Sequence, residues 1–165
     1  MRRRVIGVVG GAGADREACR LAYCLGRMVA VGGDVLLCGG RPEGVMEHAA
    51  RGARDGGGLT LGILPGNDPD QASTSIDLAV ATGMGNARNA INVLSSDAVV
   101  ACAGGTGTIS EVALALKSGK LVVALGFDPG SCFTQWIDRG LHLAGSAEEA
   151  YRLVSDHLDH RAKTR

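Results

Sequence analysis

The chain has 165 residues, 45% of them hydrophobic and 3% aromatic, and its 17 Lys and Arg balance 17 Asp and Glu to a formal net charge of zero. This length and apolar content predict one compact domain over residues 1–165 and exclude a disordered or fibrous chain. The neutral charge and the scarcity of aromatic residues argue against a nucleic-acid partner, because such proteins carry a basic excess or stacking surfaces.

Short β-rich runs alternate with amphipathic stretches through the first half of the chain. Four runs are predicted to be strands, at residues 5–9, 34–38, 59–65 and 76–82. Apolar residues at helical spacing predict helices over 15–30 and 43–57, and a polar loop over 67–75 precedes the fourth strand.

The same alternation continues towards the C-terminus. Helices are predicted over 85–96, 108–119 and 146–158, strands over 97–103 and 120–126, and a frayed tail after about residue 159. Because the strands lack polar alternation, they are expected to be buried on both faces. The sequence therefore predicts a doubly wound, Rossmann-like α/β fold with a mostly parallel sheet and helices on both faces. In such folds ligands bind at the carboxyl ends of the strands, near a topological switch point.

The N-terminus and the cysteines bear on where the protein works. The basic start Met1–Arg4 resembles the beginning of a signal peptide, but the apolar run after it is short and ends in glycines, so it is predicted to be the first strand. No run is long enough to span a bilayer, and no membrane partner is expected. The five cysteines include no C-x-x-C pair and are predicted to be reduced thiols of a cytoplasmic protein.

Glycine makes up 26 of the 165 residues, well above the usual ~7%. The excess clusters directly after predicted strands, in the segments Gly10–Gly13, Gly39–Gly40, Gly83–Gly85 and Gly104–Gly107. One such loop alone is typical of a tight strand-to-helix turn. Four loops at one edge of a sheet indicate a site for an anion, because glycine lets backbone N–H groups approach a ligand closely and helix N-termini attract negative charge.

The spacing of these glycines excludes two common nucleotide sites. The dinucleotide fingerprint G-x-G-x-x-G lacks its third glycine at Arg16, and Cys38 stands where the second strand should end in an acidic residue. The P-loop pattern, in which a glycine precedes Lys and then Ser or Thr, is absent from the sequence. A mononucleotide, a sugar phosphate or a phosphorylated cofactor remains.

The segment "GGTGTISE" (104–111) resembles the P-G-G-x-G-T-x-x-E signature of the family misnamed "lysine decarboxylase". That family includes the cytokinin-activating LOG phosphoribohydrolases. Residues 44–66 and 83–111 are more similar to a neighbouring branch that includes molybdenum cofactor carrier proteins. The resemblance covers roughly residues 5–155. It implies a Rossmann-like fold and a homodimer or a higher homo-oligomer.

The glycine clustering and the resemblance together nominate a set of site residues. The residues expected to bind the ligand are Gly10, Gly11, Gly40, Gly44, Val45, Met46, Gly104, Gly105, Thr106, Gly107 and Thr108. Arg88 and Glu111 are the candidate catalytic residues. Three features depart from the LOG pattern: Ala103 replaces a proline, Asn89 replaces a lysine, and the loop over 39–46 is longer. These departures favour the carrier branch.

Arg88 and Glu111 each have a structural and a functional interpretation. Thr108 and Glu111 have the spacing of a capping box, in which the carboxylate reaches back to the start of its own helix. The resemblance places the same carboxylate against a ribose, where it would stabilise an oxocarbenium-like state during cleavage of an N-glycosidic bond. Arg88 is either a solvated surface arginine or a fixed cation that binds phosphate or assists departure of the base.

The sequence leaves two functions open. The first is a carrier or sensor that binds a nucleotide, a ribose phosphate or molybdenum cofactor as a ligand, with no tightly bound cofactor. The alternative is a phosphoribohydrolase that acts on nucleoside 5′-monophosphates. Lysine decarboxylation is rejected because Lys117, Lys120 and Lys163 lie away from the ligand edge, where no Schiff base with pyridoxal phosphate would form. No metal site is expected, because the four histidines and five cysteines lack ligand spacing.

Overall fold

The computed structural model describes residues 2–164. Within these residues seven strands form one sheet: β1 (Val5–Val9), β2 (Val35–Cys38), β3 (Leu59–Leu64), β4 (Leu78–Ala81), β5 (Ala98–Cys102), β6 (Leu121–Leu125) and β7 (Leu141–Ala144). Neighbouring strands pair in parallel, in the order β4-β3-β2-β1-β5-β6-β7. The predicted parallel α/β fold is confirmed.

The same part of the chain contains five α-helices: α1 (Arg16–Val31), α2 (Gly44–Asp55), α3 (Arg88–Ser95), α4 (Thr106–Lys117) and α5 (Ala147–Lys163). Three short 3-10 helices lie in the connections, at Pro69–Gln71, Gly85–Ala87 and Ser131–Trp136. Among residues 2–164 no helix has the length and apolar character needed to cross a membrane.

Each face of the sheet buries its own apolar cluster. Helices α1, α2 and α5 cover one face, where Leu25 packs in the same cluster as Val100 of β5. Helices α3 and α4 cover the other face, where Val112 packs in the same cluster as Val99. Because successive side chains of a strand point to opposite faces, a central strand such as β5 supplies both clusters. This is why the strands have no polar alternation.

The structure differs from the predicted elements in three places. Strand β7 was not predicted, because its four residues include the polar His142 and form only a short edge of the sheet. Helix α5 ends at Lys163, five residues beyond the predicted end at residue 158. Basic residues in the last turn interact favourably with the negative end of the helix dipole and so stabilise this end of α5. An ion pair of 2.7 Å between Arg4 and Asp159 also holds the last turns of α5 against the N-terminal segment. Helix α4 begins at Thr106, two residues earlier than predicted.

The topological switch point lies between β1 and β5. From β1 the chain proceeds through α1 to β2 on one side, and it returns through α3 to β5 on the other side. The loops that leave these two strands therefore diverge and open a crevice at the carboxyl edge of the sheet. A bond from the Gly11 amide to the Ala103 carbonyl, 3.0 Å long, joins the loops at the base of their divergence.

Candidate functional site

A cavity of about 270 Å³ lies at this switch point. The loop after β1, Gly10–Ala12, forms one wall, and the segment that opens helix α4, Gly105–Thr108, forms another. Side chains of Arg88, Asn89 and Asn92 from α3 and of Glu111 from α4 also line it. The cavity thus combines two glycine-rich backbone segments with one cation and one carboxylate.

The N-terminus of α4 faces the cavity with free backbone donors. Gly105 is the N-cap residue and has no side chain with which to cap the helix. The first backbone bond of the helix runs from the Ile109 amide to the Gly105 carbonyl, at 3.1 Å. The amides of Thr106, Gly107 and Thr108 come before that bond and have no acceptor within the helix. Together with the helix dipole, these three N–H groups attract an anion.

Two glycines allow the walls of the cavity to approach each other. A Cβ atom on Gly10 would lie 2.6 Å from the side chain of Val45. A Cβ atom on Gly104 would overlap the Oγ1 atom of Thr108 and lie 2.7 Å from the Gly11 amide nitrogen. Any larger residue at either position would push the loop after β1 away from α2 or α4. The glycine cluster therefore shapes the backbone on which the cavity depends.

The eleven residues predicted to bind the ligand separate into two groups. Seven line the cavity: Gly10, Gly11, Met46, Gly105, Thr106, Gly107 and Thr108. The other four, Gly40, Gly44, Val45 and Gly104, are not among the lining residues. The Val45 amide donates to the Gly11 carbonyl at 3.1 Å and so already has an acceptor. Gly44, Val45 and Gly104 contact the loop after β1, and Gly40 packs against Gly62 of β3.

Arg88 is held across the ends of two strands. Its Nη1 atom donates to the Ile63 carbonyl of β3 at 2.9 Å. The guanidinium also covers Gly39 after β2, where a Cβ atom would overlap Nη1. Burial lowers the pKa of Arg88, while the negative charge of Glu111 opposes that shift. An arginine remains protonated at neutral pH even so. Arg88 is therefore a fixed, half-buried cation in the cavity and not a solvated surface residue.

Glu111 does not form the predicted capping box. Thr108 is the third residue of α4 and Glu111 lies in the second turn, too far along the helix to reach its N-cap. Instead, its Oε1 atom accepts a hydrogen bond of 2.8 Å from Nδ2 of Asn92. Glu111 is only 7% exposed. Burial raises its pKa, and the bond from Asn92 and the charge of Arg88 work in the opposite direction.

Sequence reasoning missed several residues that line the cavity, and Asn92 is the most buried polar one among them. It is 2% exposed, and its Oδ1 atom has no hydrogen-bond partner among residues 2–164. The signal lay in its spacing: Asn92 follows Arg88 by four residues and so shares a helix face with it. A polar residue on the buried face of a short amphipathic helix needs a partner.

Other reactive side chains lie outside this cavity. Among residues 2–164 no group of three or more His, Cys, Asp or Glu is placed to hold a metal ion. All five cysteines are free. Burial raises the pKa of Cys38 to about 11 and that of Cys102 to about 12, so both thiols remain protonated at neutral pH.

A doubly wound parallel sheet with this crevice at its switch point defines a Rossmann-like α/β protein. The model of the SLOG cluster4 family matches residues 3–152, and the chain belongs to this family. The predicted resemblance to the LOG-like proteins and their molybdenum cofactor carrier branch is confirmed.

Solved structures support the same placement. The molybdenum cofactor binding protein of Rippkaea orientalis is 46% identical, with a TM-score of 0.92 over 96% of this chain and 99% of that one. The molybdenum cofactor carrier protein of Chlamydomonas reinhardtii is 41% identical, with a TM-score of 0.89 over the same shares of the two chains.

The sequence is also similar to that of an uncharacterised protein of Archaeoglobus fulgidus, which is 48% identical over 76% of this chain and 82% of its own length.

A more distant likeness extends to DNA processing protein A of Streptococcus pneumoniae, which is 18% identical with a TM-score of 0.69. The match covers 91% of this chain and 61% of that protein. At this identity the likeness shows a common fold alone.

Proposed function

We propose that the protein binds a phosphorylated small molecule in the cavity at the switch point and acts as its carrier or sensor. One observation carries the proposal: the free amides of Thr106–Thr108 and the guanidinium of Arg88 line one cavity. Backbone amides at a helix N-terminus and a guanidinium are the donors that phosphate prefers in proteins. The phosphate is therefore bound by α4 and Arg88, and the rest of the ligand extends towards Glu111 and Asn92.

Molybdenum cofactor is the ligand that the family relationship favours. The related proteins of Rippkaea orientalis and Chlamydomonas reinhardtii carry this cofactor in their names. It is a phosphorylated pterin, so its phosphate suits the same amides and the same arginine as a nucleotide would. The protein would hold it as cargo for delivery, and nucleotides and ribose phosphates remain ligands of the same chemical class.

A phosphoribohydrolase is the second candidate, and Glu111 is the observation that favours it. A carboxylate that lines the cavity can stabilise an oxocarbenium-like state at a bound ribose. One feature of this cavity favours binding over turnover. Asn89 stands where the LOG proteins have lysine, and its amide donates to the Ser110 hydroxyl at 3.1 Å without supplying a charge. Without a lysine at position 89, Arg88 is the single cation among residues 2–164 that lines the cavity, and it would have to bind the phosphate and also assist departure of the base.

Ligand binding and base release separate the two functions. Purified protein is titrated by calorimetry with molybdenum cofactor, AMP, GMP and ribose 5-phosphate, and each ligand that binds is then assayed for release of a free base or fragment. The carrier proposal expects stoichiometric binding and recovery of the intact ligand. Release of the base from a nucleoside monophosphate with repeated turnover would favour the hydrolase instead. Absence of binding to every one of these compounds would contradict both.

We also propose that the protein acts in the cytoplasm as a homodimer or a higher homo-oligomer. All four residues of the edge strand β4 are exposed. Leu78 and Val80 of this strand and Leu94 of α3 are large apolar side chains that are exposed to solvent. Exposed apolar residues of this size are typical of an interface between proteins. Light scattering after size-exclusion chromatography measures the molar mass, and a monomeric mass would contradict this part of the proposal.

A further inference from the structure

A second cavity, of about 370 Å³, opens between helices α1 and α2. Its volume falls within the range of about 300–1,000 Å³ that small-molecule sites occupy. Its lining includes three arginines, one histidine and one tyrosine: Arg16, Arg20, Arg51, His48 and Tyr23. These five residues are different from those that line the cavity at the switch point. We call this second cavity the interhelical groove.

The two helices concentrate positive charge in the interhelical groove. Arg16 and Arg20 are four residues apart on α1, so they share a helix face and repel each other. Arg16 is also the first residue of α1, where the positive end of the helix dipole disfavours a cation. His48 and Arg51, three residues apart on α2, face the same groove from the other side. A bound anion would offset this accumulation of charge.

Three carboxylates near the interhelical groove are already engaged, and they do not line it. Asp15 caps α1 by accepting a hydrogen bond from a backbone amide of the first turn. Glu17 forms an ion pair of 2.7 Å with Arg20. Asp55 accepts a hydrogen bond of 2.8 Å from the hydroxyl group of Tyr23. One arginine of the groove is therefore neutralised, and two are not.

The two remaining arginines, Arg16 and Arg51, form no ion pair with a carboxylate of residues 2–164. Arg51 is held in place, because its guanidinium carbon lies 5.5 Å from the centre of the Tyr23 ring in a cation–π contact. His48 donates from Nδ1 to the Gly44 carbonyl at 2.8 Å, which leaves Nε2 for a ligand. Side chains that are fixed before binding lose less freedom when a ligand arrives.

We propose that the interhelical groove is a second binding site, which takes a small molecule that carries two or more carboxylate or phosphate groups. Arg16 and Arg51 bind these groups, because a guanidinium donates two parallel hydrogen bonds to a carboxylate or a phosphate. This inference does not depend on the proposed function. The two sites are nevertheless neighbours along the chain, since Ala12 lines the cavity at the switch point and Ala14 lines the groove.

Citrate, pyrophosphate and an oligoglutamate peptide distinguish the sources of the anionic groups. Each is titrated into the isotope-labelled full chain at physiological ionic strength, which screens weak attraction to exposed charges, and backbone amide shifts are followed by NMR. We expect citrate, pyrophosphate or both to shift the amides of Ala14, Cys19 and Tyr23 and to reach saturation. The tighter of the two identifies the preferred anionic group. Shifts at Thr106–Thr108 report the cavity at the switch point separately.

The variants Arg16→Gln and Arg51→Gln each remove one guanidinium from the groove, and we expect each to weaken binding there about tenfold or more. The matched control Arg152→Gln removes an arginine of α5 whose side chain is 63% exposed, and the affinity should change less than about twofold. Arg88→Ala should leave the groove shifts unchanged, because Arg88 lines the other cavity. Thermal melting verifies that each variant folds.

Three results would overturn the inference. The first is the absence of saturable shifts at the groove with both citrate and pyrophosphate. The second is an equal effect of Arg51→Gln and Arg152→Gln in folded proteins, which would reveal general attraction to positive charge. The third is binding of oligoglutamate alone, which would make the groove a docking surface for an acidic protein segment. Saturable groove shifts that persist in Arg88→Ala support the inference even if the cavity at the switch point binds no phosphorylated ligand.

Discussion

The substitution Arg88→Ala removes the guanidinium that is proposed to bind the ligand's phosphate together with the backbone amides of α4. The guanidinium is held by the Ile63 carbonyl at 2.9 Å and lies in the cavity that the α4 amides line. A hydrogen bond to a charged group contributes about 1.5–3 kcal/mol. Because each 1.4 kcal/mol is about a factor of ten in affinity, Arg88→Ala should weaken the binding of a phosphorylated ligand by about 10- to 150-fold.

Calorimetric titration with GMP or molybdenum cofactor measures this loss, and Arg152→Ala is the matched control. Arg152 lies on α5, away from the cavity, with a side chain that is 63% exposed, and its removal should change the affinity by less than about twofold. Arg88→Lys should recover only part of the loss, because lysine keeps the charge but not the planar pair of donors. Affinity for Arg88→Ala within twofold of the wild type would refute the assignment of phosphate to this residue.

Three further predictions concern the carboxylate and the loops. Glu111→Gln keeps an acceptor for Asn92, so phosphate-driven binding should change less than about threefold by calorimetry; any base release that the wild type shows should fall about a hundredfold in a chromatographic assay. Burial raises the pKa of Glu111, so the wild type should lose stability as pH rises from 4.5 through that pKa, whereas Glu111→Gln should not; chemical denaturation across pH 4–8 measures the difference, and parallel curves would contradict it. Gly104→Ala places a methyl group on Thr108, and it should cost about 1–3 kcal/mol in denaturant melts and weaken ligand binding, whereas Gly107→Ala, inside helix α4 where a Cβ meets open space, should not destabilise the fold.

The apolar runs of the sequence were enough to predict most of the sheet. Strands β1, β5 and β6 are buried on both faces, so each is a continuous apolar run that a parallel sheet explains. Strand β7 escaped prediction because a short edge strand with an exposed residue lacks that signature. Glycine clusters after strands predicted the edge at which the cavity lies, because parallel strands all end at the same edge.

The details of the site could not be predicted, because they depend on where helix α4 begins. The spacing of Thr108 and Glu111 fits a capping box, but the N-cap is Gly105, three residues before Thr108, so both side chains lie further along the helix. Glu111 then meets Asn92, 19 positions earlier in the chain. A contact between two helices has no local signature in the sequence, so only the structure shows the hydrogen bond between Asn92 and Glu111.

We propose that the cavity between β1 and α4 binds phosphate through backbone amides and Arg88. A crystal of the protein soaked with GMP or inorganic phosphate tests it most directly. We expect the phosphorus atom to lie within hydrogen-bonding reach of the amides of Thr106, Gly107 and Thr108, with Arg88 on its other side. A crystal in which the ligand occupies another surface, or in which these amides stay bonded to protein while the ligand is bound elsewhere, would contradict the account.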